Sequence, residues 1–174
     1  WAAITGTGKP EDNATLGANW ATNVTGAAAV NTSITAAQAD ATAANAALAN
    51  IASDNILSPN EKPTVVLDYT NITNEQSGID AEATSYGVTT EKTTYDTAIS
   101  ALTTYLGTLS GWNTIPGSDV VIVGTTFRTK FSDVYTARQA LLNKITANAK
   151  VLADAAQTTA NTATTNAATA QTSA

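Results

Sequence analysis

The sequence lacks the residues on which most catalytic and metal sites are built. It has no Cys and no His. A disulfide framework, a thiolate metal site and a nucleophile activated by His are therefore excluded. The commonest general base is missing as well. These absences favour a non-enzymatic protein, and we expect neither a cofactor nor a metal ion.

Charged residues and long apolar runs are also scarce. Only 13% of the residues are charged, against roughly 25% in ordinary soluble domains. The formal net charge is −6, and the eight basic residues are scattered along the chain. This balance opposes binding to nucleic acid or to an anionic membrane surface. No apolar run approaches the 18 to 20 or so residues of a membrane span, so we expect no nucleic-acid partner and no membrane insertion.

The first 31 residues are rich in helix breakers. They contain four glycines and one proline, and Trp1 and Trp20 lie among them. The pattern predicts an irregular connector over 1–31. Its tryptophans would pack on a neighbouring element or, alternatively, stack on a ligand. Because the chain has no Met and begins at Trp1, we expect a fragment or processed product of a longer polypeptide.

Two stretches, 32–54 and 149–174, have the alternating three- and four-residue spacing of a coiled coil, with alanine at most apolar positions. Thr32 or Ser33 is the expected N-cap of the first. Each buried methyl contributes only about 0.8 kcal/mol, so the C-terminal helix should need partner helices. The predicted oligomer seam is Ile34, Ala37, Ala41, Ala44, Leu48, Ile51, Ala156, Ala160, Ala163, Ala167, Ala170 and Ala174.

An alternative arrangement uses the same spacing. The first and last helices could pair antiparallel within one chain, because small alanine side chains allow close approach of helices. The sequence also predicts a stutter, one extra step of four, near Ala156–Ala160. We expect the supercoil to relax locally there.

The middle of the chain, 55–148, predicts a helical module. Ser58-Pro59-x-Glu61 resembles a helix start with Ser58 as N-cap. Gly87 should end the first helix and Gly111 the second, which gives a helical hairpin. The long C-terminal helix would complete a three-helix core. The predicted core residues are Tyr69, Ile72, Ile79, Tyr95, Ile99, Leu102, Leu106, Phe127, Phe131, Leu141 and Ile145.

The predicted fold class is therefore all-α. A hairpin and a long C-terminal helix form a three-helix module. Alanine-rich coiled-coil segments flank this module, and an irregular connector lies at the N-terminus. The β-branched run Val120–Val123 is predicted as an extended loop packed against the helices, because a single short strand without a partner is marginal.

Titratable side chains do not form a recognisable catalytic set. Asp80, Glu82 and Asp96 lie in segments whose pattern predicts no apolar cleft, so we expect solvated carboxylates. The densest basic group is Arg128, Lys130 and Arg138. We expect these side chains to pack and to form surface ion pairs with Asp133. No catalytic residue is assigned.

Several phrases of the chain resemble phage proteins. The opening Trp1-Ala-Ala-Ile-Thr-Gly-Thr-Gly-Lys-Pro-Glu-Asp-Asn-Ala-Thr15 resembles a linker phrase of tail fibre and tail tip proteins of tailed bacteriophages. The middle section is similar to a helical module of the central tail fibre or host-specificity proteins of long-tailed phages. Its matching phrases are Leu57–Lys62, Ser77–Glu82, Thr126–Arg128 and Tyr135–Leu142. The resemblance implies a homotrimeric, non-enzymatic virion component, and it carries over no functional residue.

The hypothesis that follows is structural. The chain would be a segment of a tail fibre shaft that links the tail tip to the host-recognition end through oligomeric coiled coils. Its partners would be other copies of itself, other phage tail proteins and a host surface receptor. The alternative is a glycan- or receptor-binding module of a cell-surface adhesin, in which Trp1, Trp20 or Trp112 would be exposed to the ligand.

Overall fold

The computed structural model describes residues 28, 32, 34–35, 38–39, 41–44 and 46–173. The predicted all-α class is confirmed. The chain divides into two compact units, one comprising Ile34–Ile145 and the other Trp1–Ser33 with Thr146–Ala174. In chain order the elements are α1 (helical at the described residues from 28 to 48), β1 (Ile56–Leu57), α2 (Lys62–Ser85), α3 (Thr90–Gly107), β2 (Val120–Val121) and α4 (Gly124–Thr172).

Helix α1 begins earlier than its sequence suggests. Thr32 or Ser33 is the expected N-cap. Ser33 lies outside the described residues, and Thr32 lies inside the helix, where its hydroxyl donates to the carbonyl of Ala28 at 3.0 Å. Such a bond to the preceding turn satisfies a Thr hydroxyl in a helix interior. Of the predicted connector 1–31, only Ala28 is described, and it is helical. Trp1 and Trp20 lie outside the described residues.

Helix α1 packs within its own chain in the Ile34–Ile145 unit. Gln38 donates to the side chain of Asn143 at 3.2 Å. At the other end, the Arg128 guanidinium donates to the carbonyls of Ile51 and Ala52, each at 3.2 Å. Contacts therefore advance along α1 while they recede along α4, so the two helices run antiparallel. The contacts involve the part of α4 between Arg128 and Asn143, whereas the alternative predicted from the sequence paired the first helix with the C-terminal alanine seam.

The capping pair before α2 forms, although the helix starts later than predicted. The Glu61 carboxylate accepts from the backbone N–H and the hydroxyl of Ser58, both at 2.9 Å. Its other oxygen accepts from the Ala52 N–H at 3.0 Å. The helix itself begins at Lys62, with Glu61 and not Ser58 as the N-cap. Pro63 fits this first turn because a helix leaves its first N–H groups without partners in any case.

The turn between α2 and α3 is fixed by Gly87, as the sequence predicts. Gly87 has a φ of +67°. The N–H of Val88 donates to Ala83 at 2.8 Å, and that of Gly87 donates to Thr84 at 3.1 Å. This pair of bonds is the Schellman arrangement, which requires a left-handed residue. Helix α3 ends at Gly107, four residues before the predicted stop at Gly111.

A two-stranded antiparallel sheet replaces the predicted loop at Val120–Val123. Ile56 pairs with Val121 and Leu57 with Val120. The expectation of an unpaired run was wrong because the partner strand lies in the break after α1, where proline and asparagine suggested no strand. The pairing joins two loops that are more than sixty residues apart in sequence.

The three-helix core lies where α2, α3 and α4 meet. Every predicted core residue is buried except Tyr69, which is half-buried. Phe127 and Phe131 are both fully buried, with ring centroids 5.1 Å apart. Other large buried side chains include Leu57, Val65 and Val134.

Candidate functional site

The predicted oligomer seam divides into two different environments. In the first helix, Ile34, Ala41, Leu48 and Ile51 are buried within one chain and Ala44 is half-buried. Ala37 lies outside the described residues. These apolar side chains are already covered, so the predicted coiled-coil helix 32–54 contributes to the packed module from Ile34 onward.

The C-terminal part of the seam is more exposed. Ala156, Ala160, Ala163 and Ala167 are half-buried, and Ala170 is exposed. Leu152 lies on the same helical face and is 56% exposed. Ala174 is not described. Helix α4 thus continues from the filled core at Ile145 into a segment whose apolar side chains are only partly covered.

Threonines on this segment donate to the backbone of their own helix. The hydroxyl of Thr158 bonds to Asp154, that of Thr162 to Thr158 and that of Thr165 to Asn161, at 2.9 to 3.0 Å. A hydroxyl bound in this way is not available to hydrogen-bond the backbone in a non-helical conformation, so it does not compete with the helix. This helix therefore has a less polar surface than its composition suggests, because the donors are used internally and the methyl groups remain.

A buried ion pair connects α2 to α4. The Arg138 guanidinium contacts the Glu75 carboxylate, and their side chains are only 8% and 27% exposed. The buried Tyr95 hydroxyl, from α3, donates to the same carboxylate at 3.3 Å. Burial, reinforced by the Glu75 charge, raises the pKa of Tyr95 far above its ordinary value. Three helices are therefore joined through one carboxylate.

A second polar pair lies beside the first. Burial raises the pKa of Asp68, and a hydrogen bond from Tyr135 partly opposes the rise. Burial and the Asp68 charge raise the pKa of Tyr135 far above its ordinary value. The Asp68 Oδ2 atom is buried and has no hydrogen-bond partner among the described residues.

The carboxylates of Asp80 and Asp96 are not the solvated groups that the sequence predicts. Both are half-buried, and the Lys92 ammonium bridges them at 3.1 and 2.6 Å. Gln76 donates to Asp96 at 2.8 Å. Partial burial would raise the pKa of Asp96, but the hydrogen bonds from Lys92 and Gln76 outweigh it and hold that pKa below its usual value. The group therefore links α2 to α3.

A buried lysine organises the loop between α3 and β2. The Lys62 ammonium is fully buried and donates to the carbonyls of Gly111 and Ser118 at 2.7 and 2.5 Å. Gly117, with a φ of +57°, lies so close that an added Cβ would be 2.9 Å from this ammonium and 2.4 Å from the Thr114 carbonyl. Only glycine fits there. No pattern in the sequence predicts a buried Lys62, since lysine is almost never fully buried.

Asn55 connects the segment before β1 to the segment after β2. The N–H of Gly124 donates to the Asn55 side chain at 3.0 Å, and that of Ile122 donates to the Asn55 carbonyl at 2.9 Å. Asn55 has a left-handed φ of 65°. Such a conformation is tolerated best by glycine, asparagine and aspartate. The loops are therefore held by specific polar contacts.

The basic residues that sequence spacing grouped together are separated in the structure. Arg128 bonds to the end of the α1 segment and Arg138 pairs with Glu75, not with Asp133. Lys130 forms no ion pair with any described residue. Within the described part of the chain, no group of three or more acidic residues could hold a metal ion. No helix there is long and apolar enough to cross a membrane.

Trp112, one of the tryptophans considered for ligand stacking, is half-buried in the structure. Its ring meets Tyr69 edge to face, with centroids 5.4 Å apart. The Tyr69 hydroxyl in turn contacts the Thr103 hydroxyl at 3.0 Å. The indole is thus engaged in packing between the loop and α2.

Comparison with known proteins adds one informative match. The chain is 39% identical over 111 residues, or 64% of its length, to a tail fiber protein of Enterococcus phage phiEF24C. Over that stretch the chain is similar to a phage tail fibre. The matched stretch spans only 6% of that relative's length. No protein-family model and no solved structure matches this chain.

Proposed function

We propose that the chain is a structural segment of a phage tail fibre, and that it self-associates through the C-terminal part of α4. The observation that carries the proposal is the continuation of α4 to Thr172, well beyond Ile145, the last large side chain of the module core. Its remaining apolar side chains are alanines, together with the exposed Val151 and Leu152. The similarity to a tail fiber protein supports the assignment.

A helix of this composition is marginal alone. Most helical stability in proteins comes from packing of an apolar face, and threonine and asparagine are mediocre helix formers. Association of copies along Ala156, Ala160, Ala163 and Ala167 would cover the partly exposed face. Alanine at the seam does not by itself select an oligomeric state. We propose a homotrimer on the resemblance to tail fibres.

The proposed role is mechanical. The associated helices would form part of the fibre shaft in the virion, between the tail tip and the host-recognition end. The compact Ile34–Ile145 module would add thickness and surface for contact with other tail proteins. Two polar groups, Glu75 with Arg138 and the half-buried Lys92 with Asp80 and Asp96, join helices to one another, as expected of a supporting role without catalysis.

The test is the mass of the chain in solution. Sedimentation equilibrium over a wide concentration range should show reversible association. Ala163→Glu places a charge on the seam and should shift the equilibrium to monomer. The matched control is Thr165→Glu, which lies about half a turn away on the exposed face and should leave association unchanged. A folded monomer at every concentration would contradict the proposal.

A further inference from the structure

Helices α1 and α4 pair antiparallel with a simple register. The Gln38 side chain donates to Asn143, and Arg128 donates to the carbonyl of Ala52. A step along α1 therefore moves the contact back along α4 by nearly the same number of residues, as expected of two helices with an equal rise per residue. This register predicts which residues face each other where the two helices continue past Gln38 and Asn143.

Both helices continue past this contact. Helix α1 is already helical at Ala28, and α4 extends to Thr172. In the same register Ala28 faces about Leu152, so several turns of α4 lie beyond the described part of α1. Residues 1–27 come directly before Ala28, and they belong to one compact unit with this part of α4. The segment that would continue the pairing is therefore in the same chain.

The buried side chains of α1 identify the residues of that segment that would face α4. Ile34, Ala41 and Leu48 recur every seven residues and are 4%, 9% and 2% exposed. A seven-residue spacing keeps side chains on one face of a paired helix. Two further steps towards the N-terminus reach Ala27 and Trp20. The buried face of α1 thus continues into an alanine and then into a large aromatic side chain.

The facing surface of α4 has room for a large side chain. Beyond Leu152 its half-buried residues are small except for one amide: Ala153, Ala156, Gln157, Ala160, Ala163 and Ala167. The distance between packed helices depends on the side chains at the contact, and an indole buries about 150–250 Å². The register puts Trp20 opposite about Ala160, where one ring can cover several methyl groups. Large and small side chains are therefore complementary across this contact.

Neither segment carries a charge that would oppose the contact. No charged residue lies between Asp12 and Asp40, and none follows Asp154. Removing a charge from water is strongly unfavourable, and this contact requires no such step. The hydroxyls of Thr158 and Thr162 already donate to their own helix. The two segments can therefore pack through methyl groups and the indole.

We propose that residues 20–27 continue α1 along α4 of the same chain, with Trp20 packed against Ala160. The segment extends the α1–α4 interface described above, so the occupant of this face is the chain itself. It covers the face that the proposed self-association would use. Copies of the chain must therefore displace this segment to associate. The intrachain contact does not rest on the proposed function, whereas the competition does.

Introduced cysteines test the contact, because the chain has none of its own. Ala27→Cys with Ala153→Cys forms a pair in register. Ala27→Cys with Ala167→Cys is the matched control, two heptads or about 21 Å further along the same face of α4. A short bismaleimide reagent is added to the full chain at low concentration. The products are separated on denaturing gels and mapped by mass spectrometry.

An intrachain link in the pair in register, and none in the control, is the expected result. A link between chains only would mean that a second copy occupies the face. No link in either pair would mean that the segment lies elsewhere, and equal links in both would mean that it has no fixed register. Each of these three results would overturn the proposal.

Trp20 itself gives a second measurement. Trp1→Phe with Trp112→Phe leaves it as the sole tryptophan. Its emission in the dilute chain should lie at short wavelength and be weakly quenched by acrylamide. Ala160→Glu in the same background should shift the emission to longer wavelength, whereas Thr162→Glu, about half a turn away on the exposed face, should not. A solvent-exposed Trp20, or equal effects of the two substitutions, would contradict the contact.

Sedimentation equilibrium tests the competition. Trp20→Ala should strengthen self-association severalfold, because it weakens the segment that copies of the chain must displace. Weaker association would place Trp20 between copies, and unchanged association would mean that the segment does not compete; either result would exclude the competition. Absence of association in both parent and variant would refute the proposed function alone, since the intrachain link is measured on the dilute chain.

Discussion

The Glu75–Arg138 ion pair gives the sharpest prediction for the stability of the module. Arg138→Met keeps the length of the side chain but removes the guanidinium, and it leaves the Glu75 carboxylate with the Tyr95 hydroxyl at 3.3 Å. Breaking a buried pair costs about 3–5 kcal/mol. Because the Glu75 side chain is 27% exposed and can reach water, we expect a smaller loss of about 2–3 kcal/mol.

This loss corresponds to a fall in melting temperature of about 4–12 °C for a chain of this size. The assay is urea and thermal unfolding followed by circular dichroism. Lys150→Met is the control, because it breaks the Lys150–Asp154 pair, whose side chains are 73% and 65% exposed, and should have no measurable effect.

A double variant completes the test of the pair. Glu75→Gln combined with Arg138→Met removes both charges, so its cost should be lower than the sum of the single costs by about 1–3 kcal/mol. The reasoning would be refuted if Arg138→Met proved as harmless as Lys150→Met. It would also be refuted if the two single effects simply added.

Three further outcomes are expected. Gly124→Ala should destabilise the module strongly and weaken the packing of the loops, because the new Cβ would lie 2.0 Å from the Ala52 carbonyl; loss of hydrogen-exchange protection around residue 52 is the readout, and full protection would contradict it. Tyr95 and Tyr135 should not ionise near pH 10 while the chain is folded, because their pKa values are raised. The contribution of these tyrosines to folding stability is therefore retained below about pH 10 and lost above it. Ultraviolet titration with and without denaturant is the measurement. Asp68→Asn should raise the melting temperature slightly at pH 7, and the gain should vanish on acidification, because the raised pKa of Asp68 favours the folded state at low pH; a gain independent of pH would oppose this account.

Local patterns predicted the helices well because their signals are short-range. The steps of three and four residues identified the buried faces of α2, α3 and α4, including Ile72, Tyr95 and Phe131. Gly87 also marked its turn correctly, since only a left-handed residue suits the observed pair of bonds.

The polar framework could not be predicted in the same way, because its partners are distant in sequence. Lys62 bonds to Gly111 and Ser118, 49 and 56 residues away. Arg138 and Glu75 are 63 residues apart. A lone lysine or arginine in a helical pattern indicates an exposed face, and only the fold shows which carbonyl or carboxylate it meets. The same holds for β1 and β2, since neither two-residue strand has a signal without the other.

The partners of the basic residues were equally hidden. Lys130 was grouped by spacing with two arginines that prove to have partners elsewhere.

Because α1 and α4 run antiparallel, the two ends of the Ile34–Ile145 module lie next to each other. Gln38 and Asn143, near its first and last residues, touch at 3.2 Å. A unit whose ends are adjacent can be excised or inserted at a single surface turn of a host protein without stretching either chain. Grafting 34–145 into an exposed loop of an unrelated protein should leave both partners folded.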